Sequence, residues 1–408
     1  MSSAVLLPAA KIECFWSQNY TVDSLSQLEK DWRFARVKVQ HDKGDIADAI
    51  ARYKRGPSPD LLILETDQPD DMFTRHLISL AQVCGEQTAA LVIGPENDIS
   101  LYRQLRSVGI TDYLVRPVPL NDLIDAINHI LTERLGRGES TLTAIIGSKG
   151  GVGTTRLSQA LAQSFAQFLH EKCTLMDGGA PANPLLGTYG IKPIVNWTNA
   201  IEMAQMASPD ALQALLHNTA PDFKVLAVGD ELGMLNEALT ADQFELITDK
   251  LMQREANLVA DISHTGLRAK AIAKAQNLVV VSTAEPAALK QTKILIDEIK
   301  SVRGKDAPIY LVINKTKLLS AAESADKEIE AALGLKPFVM IPFAPDIFTA
   351  IEVAAPESMI KALQPVAEFL APLAAVMAGK PAIPIKTSLA FGGTGSLLKL
   401  LGGSSKKK

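Results

Sequence analysis

The chain has 408 residues, 47% of them apolar, with 41 Lys and Arg against 45 Asp and Glu, a formal net charge of −4 and a pI near 5.9. This length exceeds one ordinary domain and predicts two globular units with short additions; the balanced charge leaves no excess of base for bulk nucleic-acid binding, and none is expected. The three cysteines, Cys14, Cys84 and Cys173, are scattered in or beside apolar runs, which predicts buried free thiols of a reducing cytosol, with neither a disulfide framework nor a zinc site. The opening stretch MSSAVLLPAAKIE has no basic leader and too short an apolar run for a signal peptide or a membrane span, so a cytoplasmic protein is expected.

From residue 11 to about 134, apolar runs alternate with amphipathic ones. Strands are predicted at 11–16, 35–39, 61–65, 89–93 and 112–115, and helices at 24–32, 44–53, 71–84, 99–108 and 120–131. Five such strand-helix units predict a (βα)5 domain with a parallel sheet and helices on both faces. Residues 134–140, RLGRGES, are short, glycine-bearing and charged, the composition of a boundary. Domains are therefore expected at 1–135 and 141–380, with a linker at 136–140 and a tail at 381–408.

The second domain opens on TAIIGSKGGVGTTRL, residues 143–157. An apolar strand (142–146) runs into a glycine-rich turn and then into a helix (154–169). Gly150, Gly151 and Gly153 lack Cβ atoms, so the backbone there is free to curl and to point several N–H groups at one anion beside a helix N-terminus. Thr155 follows as a hydroxyl suited to Mg²⁺. Further strands are predicted at 173–177 (CTLMD), 258–261 (LVAD), 277–282 and 308–314, the first two ending in the acids Asp177 and Asp261. Helices are predicted at 285–299, at 359–377 as an amphipathic element, and at 210–216 and 240–253 on a dimer-facing or outer surface. This order predicts a doubly wound α/β sheet.

The spelling KGGVGTT resembles the deviant Walker A motif of the MinD/ParA family, and most nearly its CpaE/TadZ branch, which is tied to localising type IVb (Tad) pilus secretion machines. The resemblance implies an ATP and Mg²⁺ site in which Lys149, Gly150, Gly151, Val152, Gly153, Thr154 and Thr155 bind the nucleotide. It implies that Lys149 reaches the nucleotide of the opposite subunit of a homodimer and, with Asp177, does catalytic work. Thr155 and Asp261 would hold the metal, Asn314 would read the adenine edge, and Pro342 and Phe343 would line the base pocket. Two departures matter: Thr154 stands where the P-loop lysine stands in relatives, and Gly179 stands where their second acid stands, so hydrolysis is expected to be weak or absent. His264 receives no role.

The first half resembles a response-regulator receiver domain through PDLLILE at 59–65 and DYLVRPVPLNDLIDAI at 112–127. Glu65 stands in place of the phosphoryl-accepting aspartate, Gly94 in place of the switch Ser or Thr, Arg116 in place of the lysine before proline, and CFWSQN lacks the Mg²⁺-binding acids. These departures imply an atypical receiver that takes no phosphoryl group and works in dimerisation or docking; a merely stabilising layer is the other reading. Residues 396–403, SLLKLLGG, resemble the short membrane-targeting helix that ends MinD, with Leu397, Leu398, Leu400 and Leu401 on one side and Lys399 at the headgroups. A tail that docks on the protein's own surface or on a partner is the alternative. The chain as a whole is identified with an ATP-binding dimeric organiser of a pilus or secretion apparatus. Its expected partners are a second copy, the secretion ATPase or a polar scaffold, and peripheral contact with the inner membrane. An active ATPase cycling between membrane and cytosol and a two-component-like regulator are the alternatives.

Overall fold

The computed structural model describes residues 7, 10–17, 19–29, 31–85, 88–135, 140–178, 184–206, 210–229, 239–319 and 323–384. The chain divides into two compact units, Met1–Glu139 and Ser140–Lys408. In the first, β1 (Ala10–Trp16), α1 (Asn19–Leu28), β2 (Val37–Lys43), α2 (Ile46–Tyr53), β3 (Leu61–Glu65), α3 (Asp71–Ala81), β4 (Ala89–Gly94), α4 (Ile99–Ser107), β5 (Asp112–Val115) and α5 (Leu120–Leu135) alternate. The sheet order is β2-β1-β3-β4-β5, with every neighbouring pair parallel. Every residue of β3 (LLILE) is buried, as a strand covered by helices on both faces requires. Its alternate residues feed two cores: Leu61 and Ile63 pack with α1 and α5, while Leu62 and Leu64 pack with α2, α3 and α4.

Asp45, Asp70 and Asp98 cap α2, α3 and α4 by accepting first-turn N–H groups. The first helix departs from the predicted 24–32. It ends at Leu28, because Asp31 caps a separate 3-10 turn, Trp32–Phe34, that buries Phe34; β2 accordingly starts at Val37 instead of residue 35.

The second unit contains β6 (Thr141–Gly147), α6 (Thr154–Phe168), β7 (Cys173–Asp177), α7 (Pro184–Tyr189), α8 (Trp197–Gln205), β8 (Leu216–Ala220), β9 (Phe223–Leu226) and α9 (Ala241–Leu251). It continues with β10 (Asn257–Ile262), α10 (Arg268–Lys274), β11 (Asn277–Ser282), α11 (Pro286–Arg303), β12 (Tyr310–Thr316), α12 (Asp326–Leu333), β13 (Val339–Pro342), α13 (Pro345–Glu352) and α14 (Met359–Met377). The strand order is β13-β12-β11-β6-β10-β7-β9-β8. All pairs are parallel except β8–β9, so the expected doubly wound α/β fold is present, its sheet made mixed by one antiparallel edge pair.

The correction lies at residues 210–216. They form a 3-10 turn, Ala211–Leu215, that delivers Leu216 into an edge strand, and Asp222 at φ +58° closes the hairpin to β9. The helix predicted at 240–253 exists as α9, but Phe244, Ile247 and Leu251 are buried in the core it shares with α8 and α10, so its apolar face is already covered.

Helix α14 also differs from expectation. It is apolar and long enough to span a membrane by composition, yet it is largely buried against α6 and is not amphipathic in its setting. Pro365 and Pro372 each remove one N–H from its ladder. Gln163 of α6 donates to Ile360 O at 2.7 Å and the Ser164 hydroxyl donates to Ala367 O, which binds the two helices by polar contacts inside an apolar layer. The predicted tail helix at 396–401 and most of the predicted linker lie outside the described residues.

Candidate phosphate-binding site

Strand β6 lies inside the sheet, between β10 and β11, so the loop that follows it emerges at the centre of the strands' carboxyl ends. That is where open α/β sheets place ligands. The loop is held at its start by Ser148, whose N–H donates to Val281 O at 2.9 Å. Gly151 (φ +81°) and Gly153 (φ +96°) take left-handed conformations, and Gly153 begins α6 with no side-chain cap. A Cβ on Gly153 would lie 2.6 Å from Asn314 Nδ2, and a Cβ on Gly147 would strike the Thr154 hydroxyl. The first-turn N–H groups of α6 thus face the loop without a side-chain acceptor. Lys149, Gly150 and Gly151 are exposed, while Val152 is buried and anchors the turn.

The acids expected beside this loop are present. Strands β10 and β7 run in register with Asp261 opposite Asp177, and both side chains are fully buried. Gly178 allows the two strand ends to approach: its N–H donates to Asp261 O at 2.8 Å, and a Cβ there would lie 2.5 Å from that same oxygen. Neither carboxylate oxygen of Asp261 accepts a well-formed hydrogen bond. Burial pushes its pKa up to about 6, against the opposing influence of the nearby Thr155 and Ser158 hydroxyls. The Ser158 hydroxyl donates to Thr154 O at 3.0 Å, so Thr155 is the neighbour left to share a ligand with Asp261. A hydrated divalent cation would supply the positive charge and the donors that this buried carboxylate lacks. The donor set therefore fits Mg²⁺ with a polyphosphate. Thr154, whose hydroxyl turns back onto Gly147, supplies no charge inside the loop.

Asn314 meets the loop from the end of β12. Its Nδ2 donates to Val152 O at 2.8 Å and its Oδ1 accepts the Lys315 N–H at 2.9 Å, so here the side chain braces the loop. Pro342 pairs with Thr316 across the β12–β13 ladder, and the Phe343 N–H donates to Thr316 O at 2.8 Å. Both residues thus adjoin the segment that carries Asn314, and the Phe343 ring meets that of Phe348 at a tilt of 52° with centroids 5.6 Å apart. Gly179 lies outside the described residues. Sequence reasoning missed Lys315, whose Nζ donates to Gly151 O at 2.9 Å; its only local sign is a lysine directly after a strand-ending asparagine.

In the first unit, Glu65 ends β3 with its side chain wholly buried, accepting from Ser17 N–H at 2.7 Å and from Arg116 at 3.1 Å. The Arg116 guanidinium also pairs with Asp67 at 2.6 Å. Gly94 gives way to the buried Tyr113 ring, for a Cβ on it would lie 2.5 Å from the phenol oxygen. That oxygen bonds both the N–H and the C=O of Glu96. Cys14, Cys84 and Cys173 are free. Burial raises all three thiols, Cys84 to about 11, so none is an activated nucleophile. No group of three or more metal-binding His, Cys, Asp or Glu side chains occurs among the described residues.

No protein-family model and no curated protein matches the chain. Among solved structures, the pilus assembly protein CpaE of Caulobacter crescentus CB15 is 30% identical over 31% of this chain and 95% of its own, with a TM-score of 0.30. A putative CpaE2 pilus assembly protein of Sinorhizobium meliloti 1021 is 31% identical over 29% of this chain and 98% of its own, with a TM-score of 0.29. MinD of Pyrococcus horikoshii, solved with Mg-ADP, is 15% identical over 58% of this chain and 99% of its own, with a TM-score of 0.43, a likeness too slight to carry a functional argument. Through its N-terminal part, the chain belongs to the CpaE family of pilus assembly proteins.

Proposed function

We propose that this CpaE-family chain is an ATP-binding, dimeric localisation and assembly factor of a Tad-type pilus or secretion apparatus. The observation that carries the nucleotide reading is Asp261: a buried carboxylate that accepts no well-formed hydrogen bond, pushed up to about 6, beside Thr155 at the first turn of the helix that follows a glycine cradle. When bound, Mg²⁺ neutralises this carboxylate and the phosphates together. Gly150 to Gly153 supply backbone N–H groups and the α6 N-terminus adds its dipole. Thr155 and Asp261 would hold the metal, and Phe343 and Pro342 would border the base.

Turnover is slow in this reading. A lysine that contacts the transferring phosphoryl group acts mainly in the transition state, and losing such a contact costs about a hundredfold or more. Thr154 supplies no charge, and the glycine at position 179 supplies no carboxylate to orient water. Lys149 is exposed on the loop and pairs with no carboxylate among the described residues, which suits it to reach a second copy's nucleotide across a dimer.

The first unit is proposed as a docking module that takes no phosphoryl group. Glu65 is held by Arg116 and Ser17, so its carboxylate oxygens are already engaged by a guanidinium and a backbone N–H. Its partners would be a second copy, the secretion ATPase or a polar scaffold; contact of the tail with a membrane belongs to the same proposal. Sedimentation of the full chain with and without Mg·ATP tests the assembly step. A dimer fraction that rises with nucleotide and falls with Lys149→Ala supports it, and a fraction indifferent to both contradicts it.

A further inference from the structure

We propose that Lys315 is the cation that serves the phosphate loop from within its own chain, in compensation for the threonine at position 154; this rests on reading the loop as a nucleotide site. Strand β12 does not end smoothly. Its register against β13 shifts between Ile313 and Thr316, and Lys315 and Lys317 take φ values of +56° and +68°. Long L side chains seldom adopt that left-handed backbone, and where it is held in place it marks a clamp or a ligand site. The distortion is fixed from both sides. Asn314 Oδ1 accepts the Lys315 N–H at 2.9 Å, and Glu323 accepts the N–H groups of Lys317 at 2.7 Å and Leu319 at 2.8 Å.

The result is that two consecutive side chains take two consecutive loop carbonyls. Lys315 Nζ donates to Gly151 O at 2.9 Å and Asn314 Nδ2 donates to Val152 O at 2.8 Å. In a trans peptide the C=O and the following N–H point in opposite directions. Drawing the carbonyls of Gly151 and Val152 outward therefore turns the N–H groups of Val152 and Gly153 to the other side of the loop, where an anion is cradled. Lys315 also brings charge. It forms no ion pair with a carboxylate among the described residues, so its ammonium, held against the Gly151 carbonyl on the face opposite the N–H groups, lends an uncompensated positive charge to the site across the thickness of the loop. Lys149, the other lysine of the site, is exposed on the loop itself and reaches outward.

The ligand class is a nucleoside di- or triphosphate, recognised by the sum of its phosphate charges. The test is equilibrium binding of ATP, ADP and adenosine to the full chain and to Lys315→Met, Lys315→Gln and Lys315→Arg, with the unliganded melting temperature of each variant as the check on folding. The expected result is a loss of about tenfold or more in ATP affinity for both neutral variants. ADP should follow, adenosine affinity should change less than threefold, and arginine should restore ATP binding to within about threefold. If the wild type binds ATP and both neutral variants bind it within twofold of wild type, this inference is wrong and the nucleotide reading survives. A wild type that binds no nucleotide overturns both. Equal losses for adenosine and ATP overturn the charge role and reduce Lys315 to a structural brace.

Discussion

Asp261→Asn probes the electrostatics of the site before any ligand is added. The wild-type carboxyl is fully buried, and burial raises it from 3.8 to about 6. A difference of about two units corresponds to about 3 kcal/mol between the charged and neutral forms, and the folded chain is destabilised by up to that amount wherever the group is ionised. Because the folded-state pKa lies above the unfolded one, the native state holds the extra proton between about pH 4 and pH 6. Stability from this group is therefore greatest below about pH 4, declines as pH rises through about 6, and is level above. Asparagine keeps the shape and carries no charge at any pH.

The variant should match the wild type near pH 4 and be more stable by about 2–3 kcal/mol at pH 8, which for a unit of this size raises the melting temperature by roughly 5–10 °C. Added Mg·ATP should stabilise the wild type by about 2.7 kcal/mol at a hundred times its dissociation constant and stabilise the variant much less. Thermal denaturation followed by circular dichroism across this pH range, with and without Mg·ATP, reads both effects. An Asp261→Asn protein that melts at or below the wild type at pH 8, or a gap that does not change with pH, would refute the reasoning.

Other perturbations follow from the same geometry. Arg116→Ala removes the guanidinium that pairs with the buried Glu65 carboxylate; loss of one member of a buried pair should lower stability by about 3–5 kcal/mol, read as an earlier unfolding transition. Incubation with acetyl phosphate should label nothing in the first unit, whereas an incorporated phosphoryl group that disappears in Glu65→Gln would contradict the docking role. Gly153→Ala places a methyl against Asn314 Nδ2 at a φ of +96°, so it should cost about 1–3 kcal/mol in stability and at least tenfold in ATP affinity. Gly94→Ala should displace the buried Tyr113 ring, visible as an altered near-ultraviolet dichroism and a loss of about 1–3 kcal/mol.

Local chemistry made much of this molecule readable. Strands β3 and β7 were legible to the residue because each is a short, mostly apolar run closed by a carboxylate, and the glycine loop was legible because its spelling demands a tight turn before a helix. The β8–β9 hairpin was not. Leu216–Ala220 is an edge strand of half-exposed polar residues, and it exists through pairing with β9, which no local periodicity reports. The first helix was misplaced because Asp31, inside the last turn of the predicted 24–32, caps a 3-10 turn instead.

Long-range contacts account for the rest. Asn314 and Val152 are 162 positions apart, and nothing near either one names the other. Arg303 lies beyond the helix predicted at 285–299, yet α11 runs on to it, and it is buried and donates to the carbonyls of Ile272 and Ala275, closing the end of α10. Glu65 and Arg116 each stood out as a departure, but only the folded chain pairs them.

The measurement that bears most directly on the central claim is a calorimetric titration of the full chain with ATP, in the presence and absence of Mg²⁺. A buried, unpartnered Asp261 beside Thr155 and a glycine cradle predict saturable binding of one nucleotide per chain, strengthened about tenfold or more by Mg²⁺ and weakened as pH falls below about 6, where the carboxyl protonates. No saturable binding at millimolar ATP, or binding indifferent to Mg²⁺, would contradict the assignment of this loop as a nucleotide site.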